Sequence, residues 1–238
     1  VARAYGPDIL AHIWAGNVPG LPLWSLISGL LVKAGNIGKV SSSEPLFAGL
    51  FAKLLAEIEP SLTDCFAIVW WKGGETVCET VLLDEADVVL AYGDNDTLAT
   101  IRERVPVTTR YLAYGHKISF GMISRATLDK RKVSSIAHRA AYDIVRYDQQ
   151  GCYSPQVFFI ERGGAVSPRE FCGYLAYELA CFERKYPRRP LTIGESNDVA
   201  GWRHREEIKA SSEPEHEITG DAAGAWTVVY TESEDYFA

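Results

Sequence analysis

The apolar run Cys65-Phe66-Ala67-Ile68-Val69-Trp70-Trp71 is followed, after one lysine, by the pair Gly73-Gly74. A strand that is apolar on both faces is typical of a parallel sheet that helices cover on both sides. Glycine lets the chain turn sharply where such a strand ends. We therefore expect a buried strand here, and this strand decides how the flanking sequence is interpreted.

Strand and helix patterns alternate on both sides of this run. The sequence predicts strands at 37–41, 87–92 and 110–114, and helices at 22–34, 46–58, 75–83 and 97–105. The helix at 22–34 is expected to be buried. The next helix is expected to have one apolar face towards the core, formed by Phe47, Leu50, Phe51, Leu54 and Leu55. The alternation predicts an α/β fold with a doubly wound, mostly parallel sheet.

The alternation becomes less regular after Tyr114. Further strands are predicted at 118–123, 156–160 and 226–230, and amphipathic helices at 133–147 and 168–183. The polar segment 203–217 is expected to be a solvated helix or loop. We place a domain boundary between residues 148 and 149, where the strand–helix pattern of a nucleotide-binding fold ends.

Composition excludes several classes of protein. Hydrophobic residues make up 47% of the 238 residues, enough for a packed core and too many for a disordered chain. The formal net charge of −7 argues against a nucleic acid or an anionic membrane as the main partner. The longest apolar stretch, at 21–32, is too short to span a membrane.

The cysteines suggest neither a metal site nor a disulfide framework. Their number is odd, and Cys65, Cys78, Cys152, Cys172 and Cys181 lack the spacings of a zinc site. We therefore expect no metal and a reducing, cytoplasmic location. Most of the thiols should be buried, and at most one should carry chemistry.

Cys152 has the most informative surroundings of these thiols. It follows Gln149-Gln150-Gly151 in a predicted tight turn between a helix and a strand. A turn exposes the sulfur and gathers backbone N–H groups, as a thiolate nucleophile and the oxyanion it creates require. The pattern indicates a nucleophile, and a core cysteine at the start of a strand is the alternative.

Asn17 is a candidate donor to the same oxyanion. It lies in the turn-rich segment Gly16-Asn17-Val18-Pro19, and its side-chain amide can donate hydrogen bonds. The alternative is an asparagine that serves only to form the turn.

Five residues at the predicted strand ends are candidates for cofactor binding, because open α/β sheets bind ligands beyond the carboxyl ends of their strands. Gly93 and Gly115 would let a ligand approach the backbone closely. Lys39, Ser41 and Glu44 offer a cation, a hydroxyl and a carboxylate to the ribose or 2′-phosphate of a dinucleotide. A solvated capping turn is the alternative for the serine-rich segment.

In this order, the segments resemble the aldehyde dehydrogenase superfamily and, more closely, its acyl-CoA reductase (LuxC) branch. Two stretches look like LuxC sequence almost residue for residue: Tyr114-Gly115-His116-Lys117-Ile118-Ser119-Phe120-Gly121 and Tyr147-Asp148-Gln149-Gln150-Gly151-Cys152-Tyr153-Ser154-Pro155. Three shorter stretches are similar to motifs of the superfamily. Asn17-Val18-Pro19 is similar to its Asn-aromatic-Pro segment, and Ser41-Ser42-Ser43-Glu44 to its Lys-Pro-Ser-Glu segment. Ala91-Tyr92-Gly93-Asp94 is similar to its Phe-Thr-Gly-Ser turn.

The resemblance implies a function. Residues 1–148 would form a nucleotide-binding domain and residues 149–238 part of a catalytic domain. The enzyme would use NADPH, with NADH as the alternative, to reduce a long-chain fatty acyl-CoA or acyl-protein thioester to the aldehyde through an acyl-cysteine. The implied roles are nucleophile for Cys152, oxyanion donor for Asn17, and cofactor binding for Lys39, Ser41, Glu44, Gly93 and Gly115.

The resemblance also implies partners and a longer protein. We expect an acyl-transferring protein partner, a homo-oligomer of the full-length form, and a chain cut at Val1 and Ala238, because family members are longer. His116 is a candidate for activating the thiol.

Ala113 departs from the hydrolytic members of the superfamily, which carry at this position a glutamate that activates water. Alanine cannot act as a base, so an acyl-enzyme would lose the catalyst of its hydrolysis. This favours a thioester reductase. The alternatives are a hydrolytic NAD(P)-dependent aldehyde dehydrogenase, a thiol hydrolase or transferase without nicotinamide, and a non-catalytic nucleotide-binding module.

Overall fold

The computed structural model describes residues 4–233. This part of the chain forms two compact units, of which the first ends at Lys117 and the second begins at Ile118. The elements are β1 (Ile9–Ile13), α1 (Leu21–Leu31), β2 (Gly35–Lys39), α2 (Phe47–Ile58), β3 (Phe66–Val69), α3 (Thr76–Glu85), β4 (Val88–Tyr92), α4 (Asn95–Arg104), β5 (Arg110–Tyr114), β6 (Ser119–Ile123), α5 (Val133–Val145), β7 (Pro155–Ile160), α6 (Pro168–Lys185), α7 (Ile193–Ser212), β8 (His216–Gly220) and β9 (Thr227–Thr231).

The first unit is a doubly wound α/β fold, which confirms the predicted fold class. Its five strands are all parallel, in the order β3-β2-β1-β4-β5. Two apolar clusters cover the two faces of the sheet. Leu26 of α1 and Ala48 of α2 belong to one cluster, and Leu82 and Leu83 of α3 belong to the other.

The central strand β1 is missing from the predicted elements. His12 interrupts its short apolar run, and a histidine in the middle of a buried strand weakens the pattern of a parallel sheet. In the structure His12 is fully buried. The strand can hold this residue because polar partners on α1 and β2 satisfy its ring.

The strand predicted from the run 65–71 exists, but the prediction that it is buried on both faces is wrong. It forms β3 at the edge of the sheet, where Ala67 is exposed and no residue of the strand is fully buried. An edge strand has a neighbour on one side only, so its apolar side chains are covered less completely than those of β1 or β4.

The predicted burial of the first two helices is also wrong in part. In α2 the small residues Ala48 and Ala52 are buried, whereas Leu50 and Leu54 are 63% and 53% exposed. Trp24 of α1 is likewise exposed. A helix that packs through small side chains can approach the sheet closely, and its larger apolar side chains then remain on the outside.

The second unit contains two small sheets. Strands β6 and β7 pair in parallel, and β8 and β9 form an antiparallel pair. Helices α5 and α6 contribute most of its core, which centres on Leu128, Val133 and Phe171. The predicted boundary between residues 148 and 149 lies inside this unit, before β7, and the functions assigned to the two domains stay predictions.

The prediction of a solvated helix or loop at residues 203–217 is confirmed for most of the segment, and two buried residues are the exception. They form the end of α7 and the start of β8, and Glu206 and His216 are both buried. The two side chains lie 2.8 Å apart, His216 Nε2 to Glu206 Oε2, so each compensates for the burial of the other. Within residues 4–233, no helix is both long enough and apolar enough to cross a membrane.

Candidate active site

Cys152 lies in an exposed turn that leads into β7, and we call residues 147–154 the Cys152 turn. Inside it, the Ser154 N–H donates to the Gly151 carbonyl at 2.9 Å. From the start of β6, Ser119 Oγ donates to the Cys152 carbonyl at 2.5 Å. The backbone on both sides of the sulfur is therefore fixed while the sulfur itself stays accessible.

The backbone of this turn is strained. Tyr147, Asp148 and Gln149 have φ values of 54°, 52° and 62°, the left-handed region that favours glycine. Each such residue costs about 1–3 kcal/mol, and this strain persists only where the surroundings enforce it. Two amide hydrogen bonds enforce it here: Gln149 Nε2 donates to the Pro155 carbonyl at 2.9 Å, and Gln156 Nε2 donates to the Gln149 carbonyl at 3.1 Å.

The expectation that most thiols are buried is wrong. Cys78 is exposed like Cys152, and Cys65, Cys172 and Cys181 are partly exposed. Burial raises the pKa of the Cys172 thiol to about 11, so it stays protonated at neutral pH. Any test for a reactive thiol at Cys152 must therefore account for Cys78.

Asn17 is exposed in the turn between β1 and α1, where the neighbouring Gly16 packs against the turn that follows β2. A Cβ at Gly16 would lie 2.1 Å from Ser43 Oγ and 3.0 Å from Ser41 Oγ. Real Cβ atoms do not approach so closely, so glycine at residue 16 lets the two turns touch without displacing these serine side chains. The turn that carries Asn17 thus rests on the serine-rich turn.

The geometry of the serine-rich turn favours the capping alternative for Glu44. Glu44 Oε1 accepts from the backbone N–H groups of Leu46 and Phe47, at 3.2 and 3.0 Å, at the start of α2. The hydroxyls of Ser41 and Ser43 bond each other at 2.9 Å. Both predicted ligands therefore already have local partners, and their contact with a cofactor stays a prediction.

Lys39 has a different environment. It ends β2 and lines a cavity of about 380 Å³ at the carboxyl ends of the strands, together with Ile13, Trp71, Thr97 and Arg104. Burial lowers the pKa of Lys39, and the nearby Glu79 carboxylate opposes this effect. A half-buried cation beside an indole ring is a chemical setting that can hold a nucleotide, and the contact of Lys39 with its phosphate or ribose groups stays a prediction.

The strand-end glycines lie where the sequence predicted. The Gly93 N–H donates to the Tyr114 carbonyl, and a Cβ at Gly115 would lie 2.8 Å from Asn95 Oδ1. Asp94 caps α4 by accepting from the Thr97 N–H at 2.7 Å, and this bond lowers the pKa of Asp94. The Asp94 carboxylate at this N-terminus repels a phosphate. Gly93 and Gly115 could therefore contribute to ligand binding only by letting a ligand approach the backbone closely.

A buried polar chain in the first unit was missed by the sequence prediction. His12 Nδ1 lies 2.7 Å from Ser25 Oγ, and His12 Nε2 lies 2.9 Å from Asn36 Oδ1. Asn36 Nδ2 donates to the Ala34 carbonyl at 2.7 Å, and Tyr92 lies next to Ser25, which lowers the pKa of Tyr92. We call Tyr92, Ser25, His12 and Asn36 the His12 chain. The polar residue inside the apolar run 9–13 was the one signal that could have indicated it.

The candidate residues are divided between the two units. Asn17, Lys39, Ser41, Glu44, Gly93 and Gly115 belong to the first, where Lys39 and the two glycines lie at the carboxyl end of the sheet. Cys152 belongs to the second. His116 and Ala113 are exposed residues of the first unit. In the part of the chain that the structure describes, no three His, Cys, Asp or Glu side chains cluster as a metal ion would require.

Comparison with known sequences identifies a family that matches nearly the whole chain and relatives that match about two thirds of it. The family described as Acyl-CoA reductase (LuxC) matches residues 2–237. A long-chain acyl-protein thioester reductase of Photorhabdus laumondii is 31% identical over 157 residues, 65% of this chain and 32% of that protein. One from Vibrio harveyi is 28% identical over 157 residues, with the same coverage. The matched region spans about a third of the length of these relatives.

Comparison with solved structures gives the fold. The indole-3-acetaldehyde dehydrogenase AldA of P. syringae, solved with NAD+, matches 95% of this chain and 46% of its own, with a TM-score of 0.68 and 16% identity. The aldehyde dehydrogenase KauB of Pseudomonas aeruginosa matches 94% of this chain and 46% of its own, with a TM-score of 0.67 and 17% identity. The chain therefore has an aldehyde-dehydrogenase-like fold.

Proposed function

Because the chain belongs to the acyl-CoA reductase (LuxC) family, we propose that it carries the nucleophile and part of the cofactor site of an enzyme that reduces a long-chain acyl thioester to an aldehyde. The observation that carries this proposal is the Cys152 turn, which exposes one thiol on a fixed and strained backbone. The similarity to long-chain acyl-protein thioester reductases and to the acyl-CoA reductase family supports an acyl-protein or acyl-CoA thioester as the substrate class.

The Cys152 thiolate attacks the carbonyl carbon of the thioester and forms a tetrahedral oxyanion. This oxyanion accepts hydrogen bonds from the Asn17 amide and the Cys152 N–H, and its collapse expels the thiolate of CoA or of the acyl carrier. The acyl group is then bound to Cys152. When bound, the nicotinamide cofactor supplies the hydride that reduces this acyl group, and the resulting thiohemiacetal breaks down to aldehyde and Cys152 thiolate.

Two features of the first unit support reduction over hydrolysis and NADPH over NADH. Ala113 offers no carboxylate at the end of β5 to activate water against the acyl-enzyme. Lys39 places a half-buried cation in the cavity at the strand ends, where it can pair with a 2′-phosphate. We propose Lys39, Gly93 and Gly115 as the cofactor-binding residues that these contacts favour, with Ser41 and Glu44 in a supporting turn.

The decisive experiment measures covalent transfer of the acyl group. In a Cys78→Ser background, incubation with a long-chain acyl-CoA should add one acyl group to the protein, detected by intact mass, and release one equivalent of CoA. Cys152→Ala should abolish both signals while NADPH affinity stays within about twofold, because the thiol is the nucleophile. Acylation of the Cys152→Ala protein at the original level would refute the proposal.

The same assay tests the oxyanion donor. Asn17→Ala should lower the acylation rate by roughly 10²–10³-fold, the effect of removing one oxyanion-hole donor. Asn197, an exposed asparagine of α7, provides the matched control, and Asn197→Ala should leave the rate unchanged. An unchanged rate in Asn17→Ala would return Asn17 to a purely structural turn.

A further inference from the structure

Two tyrosines stack at the carboxyl end of the sheet in the first unit. Tyr92 ends β4 and Tyr114 ends β5, and they are partners in the parallel register. Their ring centroids lie 4.8 Å apart with an interplanar angle of 12°. Tyr92 is half-buried, whereas Tyr114 is 52% exposed. The pair therefore has one covered side and one open side, next to Gly93 and Gly115.

The His12 chain fixes the covered ring of this pair. Asn36 Nδ2 donates to the Ala34 carbonyl, so Asn36 Oδ1 is the acceptor that faces His12. The His12 Nε2–H then donates to Asn36, which leaves Nδ1 to accept from the Ser25 hydroxyl. Burial lowers the pKa of His12, which keeps the ring in this neutral form.

The last link in this chain is Tyr92. The Ser25 hydroxyl, which donates to His12, also lies beside Tyr92 and lowers the pKa of Tyr92, an effect smaller than that of burial. Burial raises the pKa of Tyr92, so the phenol remains a donor at neutral pH. The Tyr92 ring is therefore packed at the end of β4 between the Tyr114 ring and a cluster that contains Trp14 and Leu26, with Ser25 beside it.

The aromatic pair and the Lys39 cavity lie on opposite faces of the sheet. Tyr92 packs with Trp14, Leu26 and Val40, in the cluster beneath α1 and α2. The cavity is lined by Leu82 and Ile101, from the helices that cover the other face. Both features occupy the carboxyl end of the same strands. A ligand with two ring systems joined by a flexible diphosphate could cross this end and reach both.

We propose that Tyr92 and Tyr114 form an aromatic platform on which the nicotinamide ring of the cofactor stacks, and that Ser25, His12 and Asn36 act as positioning residues for Tyr92. This inference rests on the proposed function, since it assumes a dinucleotide cofactor whose adenosine end occupies the Lys39 cavity. An exposed ring beside two strand-end glycines lets a planar heterocycle stack without backbone interference.

The experiment uses three ligands and titrates each by its fluorescence or by calorimetry: NADPH, reduced nicotinamide mononucleotide, which lacks adenosine, and 2′,5′-ADP, which lacks nicotinamide. Tyr114→Leu should weaken binding of NADPH and of the mononucleotide about 5- to 100-fold, the range for loss of one stacking contact. Binding of 2′,5′-ADP should remain unchanged. Tyr114→Phe keeps the ring and should restore both affinities.

Lys39→Ala provides the reciprocal control, because it should weaken 2′,5′-ADP and leave the mononucleotide unchanged. Ser25→Ala tests the positioning role. It should weaken the mononucleotide several-fold without an effect on 2′,5′-ADP, a selectivity that a general loss of structure would not produce. Tyr92→Phe, which removes the hydroxyl beside Ser25 but keeps the ring, should behave like Ser25→Ala.

The outcomes separate this inference from the proposed function. If the unaltered chain binds NADPH and 2′,5′-ADP but Tyr114→Leu weakens neither NADPH nor the mononucleotide, or weakens all three ligands equally, the platform is refuted and the cofactor site stands. If the unaltered chain binds none of the three ligands, the cofactor site and the platform are refuted together.

Discussion

The Cys152 turn and the His12 chain differ in exposure and in backbone strain. The turn keeps a thiol exposed on a backbone with three consecutive left-handed residues, none of them glycine, held by side-chain hydrogen bonds near the surface. The His12 chain buries three polar side chains, His12, Ser25 and Asn36, in ordinary strand and helix geometry and joins them by hydrogen bonds, with the half-buried Tyr92 beside them. The first region stores strain and the second avoids it.

This difference predicts how each region responds to substitution. A buried polar network is rigid when every member is satisfied, and it fails when one member loses its partner. An exposed turn tolerates most side-chain substitutions, because few neighbours pack against it. Its strained backbone keeps its conformation only while the hydrogen bonds that enforce it are present. Substitutions in the two regions should therefore have opposite signatures, and three changes test this contrast.

The largest effect is expected at Gly29, in the middle of α1. A Cβ at this position would lie 1.8 Å from Asn36 Oδ1 and 3.0 Å from Leu10 Cδ2. Gly29→Ala must therefore push α1 away from β2 and break the His12–Asn36 bond. We expect the free energy of unfolding of the first unit to fall by about 3 kcal/mol, as for severe overpacking. Hydrogen exchange of peptides from this unit, measured in urea, gives the value.

The matched control is Gly173→Ala in the interior of α6, where a Cβ would meet nothing within 4 Å. Alanine is the better helix former, so this change should stabilise the second unit by up to about 1 kcal/mol. Equal effects of the two substitutions would show that the His12 chain does not limit the packing of α1.

The second test changes the pH. Burial lowers the pKa of His12 in the folded chain below its ordinary value of 6.5. Between these two pKa values the unfolded chain binds a proton that the folded chain does not. The free energy of unfolding of the first unit should therefore be highest above pH 6.5 and fall below it, by at most about 1.4 kcal/mol per pH unit for one proton.

His12→Gln should remove this dependence, whereas His138→Gln, at an exposed histidine of α5, should preserve it. An NMR titration of the His12 ring in the unaltered chain provides a readout that does not depend on the variants. Protonation of that ring near pH 6.5 would contradict the prediction.

The smallest effect is expected in the Cys152 turn. Asp148 has a φ of 52°, and both Asp148→Gly and Asp148→Ala lose its 3.8 Å contact with Arg189. Only glycine adopts this φ without strain, so Asp148→Gly should be more stable than Asp148→Ala by about 1 kcal/mol. This order is the reverse of that in a helix. Urea unfolding of the second unit gives the two values, and greater stability of Asp148→Ala would rule out backbone strain at this position.

The sequence predicts every strand and α-helix of the first unit except the central strand β1, because most of the strands are apolar and the helices have clear ends. The strand 110–114 is confirmed at its predicted bounds, and β4 and α2 differ from the prediction by one residue at their N-terminal ends. Burial was predicted less well. The helical spacing of apolar residues indicates that α2 has an apolar face. It does not indicate that the small residues Ala48 and Ala52 are buried while the larger Leu50 and Leu54 are exposed.

The site was predictable only as far as its local turns. The exposed position of Cys152 follows from the glycine before it and the proline that starts β7, and both are visible in the sequence. The His12 chain was not predictable, because it joins residues of β1, α1, β2 and β4 that are far apart along the chain. The contact between Gly16 and Ser43 depends in the same way on the packing of two turns that follow different strands.

The exposure of Cys152 also makes its thiol susceptible to oxidation during storage. An accessible thiol is open to peroxide, which converts a thiolate first to a sulfenic acid and then, irreversibly, to sulfinic and sulfonic acids. With Cys78 exposed as well, two thiols per chain can form disulfides between molecules in air. Storage without a reductant would thus remove the proposed nucleophile and cross-link the sample while the fold stays intact.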